Sequence, residues 1–343
     1  MNILLISNQD ENKTGVGRYS QEVEEAISLR NVIEKKSPLR FFNYPFFIHK
    51  SDADSIHILS QDLGFVLNFM SKTQKRKTII TVHDVIPLQY PLFEQAEHLF
   101  FKKFDKWFFK KSIESLKQAE QIICVSYATK KNLLQYINYP ENKIQVIYEY
   151  PSKEFINLHK NRNPYDIMYV GSEMPHKNLK VLIEALGYVK NKIPHIRLIK
   201  IGKSHWPGAR EQLLELANKK NLTKNILWKD TVEDLAEDYN CATLLVHPSL
   251  HEGFGFPIVE AMACGCPVLC SDKDSLPELG GTAVEYFNPE NEKELAEKII
   301  KIVENKRIQE EMRKKGLLQV HNFNQERFKK ETVAVYRKCF GSV

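Results

Sequence analysis

Short apolar runs alternate with helical patterns along almost the whole chain, and this alternation most limits the possible folds. In the first half, strands are predicted for NILLIS, SIHILS, TIITVHD, QIICVS and KIQVIY. In the second half they are predicted for DIMYVGS, IRLIKIG, NILWKD, TLLVHPS and PVLCSD. Strands that are separated by helices pair in parallel and are buried on both faces. The pattern therefore predicts an α/β protein with two doubly wound parallel sheets.

The two series of strands are separated by a segment that favours a linker. This segment, YEYPSKEFINLHKNRNPYD, is rich in Pro, Asn and Lys. With 343 residues, the chain has room for two domains of ordinary size. We predict a first domain over residues 1–155, a second over residues 156–320, and a charged C-terminal helix over residues 321–343.

Composition narrows the class of protein. The net charge of +6 is mild and does not demand a nucleic-acid partner. None of the six cysteines forms a Cys-x-x-Cys pair, which favours free thiols in a reducing compartment. The opening run NILLIS is too short for a signal peptide or a membrane span, and no other segment qualifies. We therefore expect a cytoplasmic protein that does not bind nucleic acid.

The stretch HEGFGFPIVEAMACG, residues 251–265, joins a predicted strand to a predicted helix. Gly253 and Gly255 allow a ligand to approach the backbone closely. The N-terminus of a helix presents free N–H groups and a positive dipole end to an anion. Glu252 precedes the glycine loop, and we expect Glu260 in the first turn of the helix that follows. Because amides suit phosphates and carboxylates suit hydroxyls, the stretch fits a nucleotide sugar.

Residues Glu252 to Val268 match the pattern Glu-Gly-Phe-Gly-x-Pro-x-x-Glu-Ala-Met-Ala-x-Gly-x-Pro-Val almost completely. With the following SLPELGGTAVEYFNP, they make the chain similar to the retaining glycosyltransferases of family 4. GVGRYS and HDVIPLQYP most resemble bacterial mannosyltransferases of polysaccharide assembly. The resemblance implies the GT-B fold, in which two Rossmann-like domains face a cleft and the last helix returns to the first domain.

The same resemblance implies an activity. A hexose would pass from a nucleoside-diphosphate sugar to a glycan or lipid-linked acceptor, with retained configuration. GDP-mannose is the favoured donor, while UDP-glucose and UDP-N-acetylglucosamine stay open. Neither a metal ion nor another cofactor is implied.

The resemblance also assigns roles within the motif. Glu252 would contact the hydroxyls of the transferred sugar, and Glu260 would hold the ribose. A carboxylate in a first helical turn is also favourable by roughly 0.3–1 kcal/mol through the helix dipole alone, so Glu260 has a structural interpretation as well. The loop that would supply contacts to sugar and pyrophosphate consists of Gly253, Phe254, Gly255 and Phe256.

A second basic segment, VGSEMPHKNLKVLIEAL, follows the first strand of the second half. Family members place an Arg and a Lys here for the pyrophosphate. Lys177 matches the lysine, but Ser172 stands where the family has Arg. His176 resembles the Arg of an Arg-Lys-Asn variant, and a partly protonated His would neutralise phosphate less fully than Arg.

Two segments of the first half resemble parts of the family's site. Gly15 and Gly17 precede a predicted helix, as in the family's glycine loop near the phosphate and the acceptor. The polar loop before them is too long for a dinucleotide fingerprint, and Ser20 replaces its third glycine. His83 ends the strand in TVHDVIPLQYP, and the matching histidine of the family reaches the sugar. Asp84, beside it, could equally cap the following turn.

The stretch HLFFKKFDKWFFKKSIESL has two interpretations. The helix over residues 96–111 could lie on the inner membrane surface, where it would meet a lipid-linked acceptor. Alternatively, it could be an amphipathic helix that packs on the sheet. Its aromatic face is predicted to contain Phe100, Phe104, Trp107 and Phe108.

Other functions and sites stay open. A nucleotide-sugar epimerase of the same fold is one alternative, and a non-catalytic nucleotide-sugar-binding subunit is another, because Ser172 replaces Arg. Two Asp-x-Asp sequences resemble those of metal-dependent transferases of another fold. We interpret both as polar loop residues: Asp52 with Asp54, and Asp272 with Asp274.

Overall fold

The protein is described from a computed structural model that covers residues 3–7, 15–27, 53–90, 99–204 and 206–341, with the backbone alone for residues 15–16 and 99–104. The chain divides into two compact units. Unit 1 comprises Met1–Glu149 and Gln325–Val343, and unit 2 comprises Tyr150–Asn324.

The described residues of unit 1 form a five-stranded parallel sheet in the order β1-β2-β3-β4-β5. Its strands are rich in Ile and Val, which pack well on a pleated surface with both faces covered. The strands are β1 (Ile3–Ile6), β2 (Ser55–Ile58), β3 (Thr78–Val82), β4 (Gln121–Cys124) and β5 (Ile144–Val146). The helices before the linker are α1 (Gly15–Ile27), α2 (Lys72–Lys75), α3 (Ile86–Gln89), α4 (Leu99–Ser115) and α5 (Tyr127–Leu133).

Helix α4 packs on a 3₁₀ segment, Gln61–Phe69, that the sequence analysis did not predict. Ser112 Oγ accepts a hydrogen bond from the Phe65 amide at 3.0 Å, deep in the core. A Cβ atom at Gly64 would lie 2.5 Å from the Ser112 carbonyl oxygen. Glycine is therefore required at position 64 for this close approach.

The predicted aromatic face of α4 is divided in the structure. Phe108 packs on Phe65, with ring centroids 4.9 Å apart, whereas the side chain of Trp107 is 55% exposed. The side chains of Phe100 and Phe104 lie outside the described residues. Within the described part of the chain, no helix is long and apolar enough to cross a membrane.

The described residues of unit 2 form a six-stranded parallel sheet in the order β11-β10-β9-β6-β7-β8. The chain runs outwards from β6 through β7 and β8, then returns to β9 on the other side of β6. Ligands bind at the carboxyl ends of the strands where the order of a doubly wound sheet reverses in this way. The strands are β6 (Asp166–Val170), β7 (Arg197–Ile201), β8 (Ile226–Lys229), β9 (Leu244–His247), β10 (Val268–Ser271) and β11 (Glu285–Phe287).

The helices of unit 2 cover the sheet, and several begin at a side chain that caps their first turn. Asp234, Asn291 and Asn305 each accept a hydrogen bond from the amide three residues later, which satisfies an N–H group without a partner inside the helix. The helices are α6 (Leu179–Lys192), α7 (Ala209–Lys219), α8 (Leu235–Cys241), α9 (Phe256–Ala263), α10 (Leu276–Gly280), α11 (Glu292–Val303) and α12 (Lys306–Gln319).

The borders of the two units differ by a few residues from the predicted positions at 155 and 320. Phe155 belongs to unit 2 because its ring packs edge-on against Tyr239, with centroids 5.9 Å apart. Phe323 belongs to unit 2 because it packs against Phe254 at 6.1 Å. Aromatic contacts within unit 2 thus accompany both border segments.

The C-terminal helix, α13 (Gln325–Phe340), is part of unit 1. It packs beside α1, where Phe328 meets the ring of Tyr19 at 5.7 Å. Tyr336 is fully buried, and its hydroxyl lies 2.5 Å from His57 Nδ1 on β2. The helix is therefore held by both apolar packing and a buried hydrogen bond.

Candidate functional site

Lys177 and Glu252 meet beside the point where the strand order of unit 2 reverses. Lys177 ends the 3₁₀ turn Pro175–Lys177 after β6, and Glu252 follows β9. Lys177 Nζ donates to Glu252 Oε1 at 2.7 Å and to Oε2 at 2.9 Å. The side chains are 21% and 8% exposed, respectively. Tertiary folding thus forms a largely buried ion pair between residues 75 positions apart.

Glu252 is held by two further side chains from the end of β9. His247 Nε2 and Ser249 Oγ each lie 2.7 Å from Glu252 Oε1. Burial raises the pKa of Glu252, but the charge of Lys177 and the His247 hydrogen bond outweigh burial and hold this pKa well below its usual range. Glu252 is therefore a carboxylate at neutral pH.

The backbone around Glu252 is also fixed. Its amide donates to Asp274 Oδ2 at 3.2 Å, and the same oxygen lies 3.0 Å from His251 Nδ1. Ser275 Oγ donates to the carbonyls of Glu252 and Phe254. Asp274, which the sequence analysis interpreted as a polar loop residue, thus orients the loop that carries Glu252.

The glycine loop leads into α9 through a conformation that favours glycine. Gly255 is the N-cap of α9 with φ 120°, and a Cβ atom there would lie 2.9 Å from a Leu276 methyl group. Phe254 is 5% exposed, and its ring packs edge-on against Phe256 at 5.3 Å. A ligand at this loop would therefore meet the backbone of Phe254 and not its ring. Gly253 precedes them in the same loop and is partly exposed.

Glu260 lies in the second turn of α9, because the helix begins at Phe256. The expected place in the first turn is wrong, and the dipole interpretation weakens with it, since that effect falls off within one turn. The Glu260 side chain is 8% exposed, and Tyr239 donates its hydroxyl to Oε2 at 3.2 Å.

His176 is buried in the turn before Lys177. Burial and the charge of Lys177 lower the pKa of His176 from 6.5 to about 4. The imidazole is consequently neutral at pH 7, and the expectation of partial protonation is wrong. The His176 carbonyl accepts from the Leu250 amide at 2.7 Å, which ties the loops after β6 and β9 together.

The position that holds Arg in the family is occupied by Ser172, whose carbonyl accepts a hydrogen bond from Tyr169 at 2.7 Å. The next residue, Glu173, binds two basic groups at once. Lys200 is fully buried against it, and Arg210 Nε donates to Glu173 Oε1 at 2.7 Å. Lys200 and Arg210, the two cations beside Ser172, are thus both engaged by Glu173.

His83 follows β3 in unit 1, as predicted, and both of its ring nitrogens face the protein. Nε2 lies 2.9 Å from the Leu59 carbonyl oxygen, and Nδ1 lies 3.5 Å from Glu149 Oε1. Burial lowers the pKa of His83, but Glu149 outweighs burial and raises it. Asp84 Oδ1 accepts from the Ile86 amide at 3.0 Å and so caps the following turn. A sugar contact by His83 would require it to exchange one of its own contacts.

Gly15 and Gly17 lie inside the first turn of α1, which begins at Gly15. The expectation that both precede the helix is wrong. The polar loop over residues 8–14 falls outside the described residues.

Among the side chains that contact the Glu252 carboxylate, His247 and Ser249 were not identified from the sequence. Both stand in TLLVHPS, where His247 is the last residue of β9 and Ser249 follows two residues later. A polar pair at the carboxyl end of a parallel strand, a few residues before Glu252, is a signal that could have identified them.

Comparison with protein families gives two matches along the chain. A model described as Glycosyltransferase Family 4 matches residues 7–149. A model described as Glycosyl transferases group 1 matches residues 152–319. Together they cover most of both units.

Individual proteins are similar over most of the length as well. The chain is 26% identical to O-antigen chain mannosyltransferase B of Escherichia coli, over 94% of this chain and 96% of the relative. It is 30% identical to O-antigen chain mannosyltransferase RfbU of Salmonella typhimurium, over 64% of this chain and 58% of the relative. The solved structure of sucrose-phosphate synthase from Thermosynechococcus elongatus aligns over 100% of both chains, with a TM-score of 0.80 and 20% identity.

Proposed function

Because the chain belongs to the family 4 glycosyltransferases, which have the GT-B fold, we propose that it moves a hexose from a nucleoside-diphosphate sugar to a glycan or lipid-linked acceptor. GDP-mannose is the favoured donor, and the configuration of the sugar is retained. Support for mannose comes from the Escherichia coli and Salmonella relatives, which are both named O-antigen chain mannosyltransferases.

The observation that carries this proposal is the Lys177–Glu252 pair at the reversal of strand order. A cation and a helix N-terminus suit a diphosphate, and a buried carboxylate suits sugar hydroxyls. Glu252 stands four residues before α9, so the carboxylate and the helix N-terminus lie along one short loop of unit 2, and Lys177 reaches this loop from the turn after β6 through its ion pair with Glu252. One nucleotide sugar offers matching chemistry to all of them.

The reaction would depend mainly on stabilisation of the leaving diphosphate. Lys177 and the first amides of α9 would bind its negative charge, which grows as the glycosidic bond breaks. Glu252 would orient the sugar, Glu260 would hold the ribose, and His83 would contact the sugar. We assign no side chain as a nucleophile. No metal ion is needed where a lysine and helix amides supply the positive charge.

A peripheral contact with the inner membrane surface is part of the same proposal. On α4, Trp107 is 55% exposed and stands between the exposed Lys106 and Lys110. An aromatic ring among lysines suits the interface of an anionic bilayer. Such a contact would bring the protein to a lipid-linked acceptor.

The proposal is tested first by binding and then by turnover. A thermal-shift screen with GDP, UDP and ADP identifies the base, since a ligand that binds only the folded state raises the melting temperature. We expect the largest shift with GDP. Incubation with GDP-mannose and a glycan acceptor should then release GDP and form an α-mannoside, which NMR of the product identifies.

Each alternative gives a different result in this assay. An epimerase would convert the nucleotide sugar without an acceptor, and a non-catalytic subunit would bind it without releasing GDP. A β-linked product would overturn retention of configuration.

A further inference from the structure

The two oxygens of Glu252 have different surroundings. Oε1 receives three contacts, from Lys177, His247 and Ser249, each at 2.7 Å. Among the described residues, Oε2 receives only the Lys177 contact, at 2.9 Å. The carboxylate is thus anchored through Oε1.

A bound diphosphate would change the contacts of the two Glu252 oxygens. It carries more negative charge than a carboxylate and would attract Lys177, which is the proposed phosphate ligand. If Lys177 turned to the diphosphate, Oε2 would lose its contact, whereas Oε1 would keep two hydrogen bonds. The lone pairs of Oε2 would then be open to a hydroxyl group.

We propose, on the basis of the proposed function, that His247 and Ser249 are positioning residues for Glu252. They fix Oε1 while Lys177 binds the diphosphate, so that Oε2 accepts a hydrogen bond from a hydroxyl of the donor sugar. Neither residue touches the substrate.

Both residues are placed where they can support Glu252 rigidly. His247 is the last residue of β9, and His247 and Ser249 are fully buried. Ser271 on β10 donates its hydroxyl to the Ser249 carbonyl, which fixes the backbone beside the site. A preformed support of this kind avoids an entropic cost when the sugar binds.

The tautomer of His247 follows from its contacts. Its Nδ1 atom is buried and has no hydrogen-bond partner among the described residues. A buried N–H group without a partner is costly, so we place the proton on Nε2, which donates to Glu252. Nε2 of His247 is therefore the hydrogen-bond donor to Glu252.

The test compares the affinities of the purified protein for GDP and GDP-mannose by calorimetry. His247→Phe and Ser249→Ala should each leave the affinity for GDP nearly unchanged, because neither residue contacts Lys177. The ratio of the two dissociation constants should shift against GDP-mannose by about tenfold, the factor expected for one charge-assisted hydrogen bond. His247→Gln retains a side-chain N–H and should restore the ratio to within about threefold of the wild type.

Thr243→Val is the matched control. Thr243 is also buried and directly precedes β9, at the end opposite to His247, where its hydroxyl donates to the Asn163 carbonyl. The substitution removes a partly buried hydrogen bond beside the start of the same strand, at the end away from His247. It should lower stability without changing the ratio of affinities.

Several outcomes would overturn the proposal. A wild-type ratio in His247→Phe and Ser249→Ala would do so, and so would an equal loss of affinity for both ligands. Failure of His247→Gln to recover the ratio would exclude the hydrogen bond as the cause. Glu252→Gln distinguishes failure of the proposed function from failure of the positioning role. An unchanged ratio of the two dissociation constants in this variant refutes the proposed contact between Glu252 and the sugar. A changed ratio there, with none in His247→Phe, refutes only the positioning role.

Discussion

Lys177 Nζ lies 2.7 Å from Glu252 Oε1, so the cation proposed for the diphosphate and the carboxylate proposed for the sugar neutralise each other in the free protein. A nucleotide sugar offers each group a separate partner. Binding would therefore exchange one buried ion pair for two contacts with the substrate, which limits the net gain in free energy.

Lys177→Met should weaken the binding of GDP by about 10- to 100-fold, because a charge-assisted hydrogen bond contributes about 1.5–3 kcal/mol. The measurement is calorimetry at about 0.15 M salt. Lys180→Met is the control, since Lys180 stands in the first turn of α6 and is 72% exposed. Equal affinities in the two variants would contradict the role of Lys177.

Glu252→Gln should reduce sugar transfer by about 10- to 100-fold, again the value of one hydrogen bond to a charged group. Its affinity for GDP should stay the same or increase, because Lys177 loses its buried partner and becomes available to the diphosphate. Radiolabelled transfer and calorimetry with GDP measure the two effects separately. If transfer and GDP binding weakened together, Glu252 would only support Lys177.

Acid should destabilise unit 1 through His57. Burial lowers the pKa of His57 from 6.5 to about 3, so the unfolded chain binds a proton below pH 6.5 that the folded chain does not bind. Stability is therefore lost as the pH falls through this window, by about 1.4 kcal/mol per pH unit. His57→Gln should have a smaller pH dependence of urea unfolding between about pH 6 and pH 4. Parallel profiles for the two proteins would contradict the assignment.

Glu173→Gln should lower the free energy of unfolding by about 3–5 kcal/mol, because Lys200 would remain buried without its carboxylate. Asp230→Asn is the control. Asp230 binds the same Arg210 but is 60% exposed, so this change should lower the free energy of unfolding far less. Urea denaturation of both variants measures the difference. Similar losses of unfolding free energy would contradict the idea that burial makes the Glu173–Lys200 pair costly to break.

Removal of divalent metal ions should leave turnover unchanged. Lys177 and the first amides of α9 supply the positive charge that the leaving diphosphate needs. Dialysis against EDTA, followed by the transfer assay, tests this expectation. Loss of turnover that Mn²⁺ restores would instead indicate a metal site, with Asp272 and Asp274 as the first candidates.

Some structural elements could not be predicted from local sequence. Strand β11, Glu285–Phe287, has three residues at the edge of its sheet, too few for a recognisable period. The 3₁₀ segment Gln61–Phe69 depends on its packing against α4, where Gly64 meets the backbone of Ser112. Both owe their conformation to neighbours that are distant in sequence.

The sequence by itself determined the parallel α/β architecture, because each of the ten predicted strands is an apolar run that can be recognised from its own residues. It also determined the loop before α9, because Gly255 takes a backbone conformation that other residues rarely adopt. Only the tertiary structure decided which charges meet. Burial made His176 neutral, and strand order brought Lys177 to Glu252. Protonation states and ion pairs depend on desolvation and on residues far along the chain, which no local pattern contains.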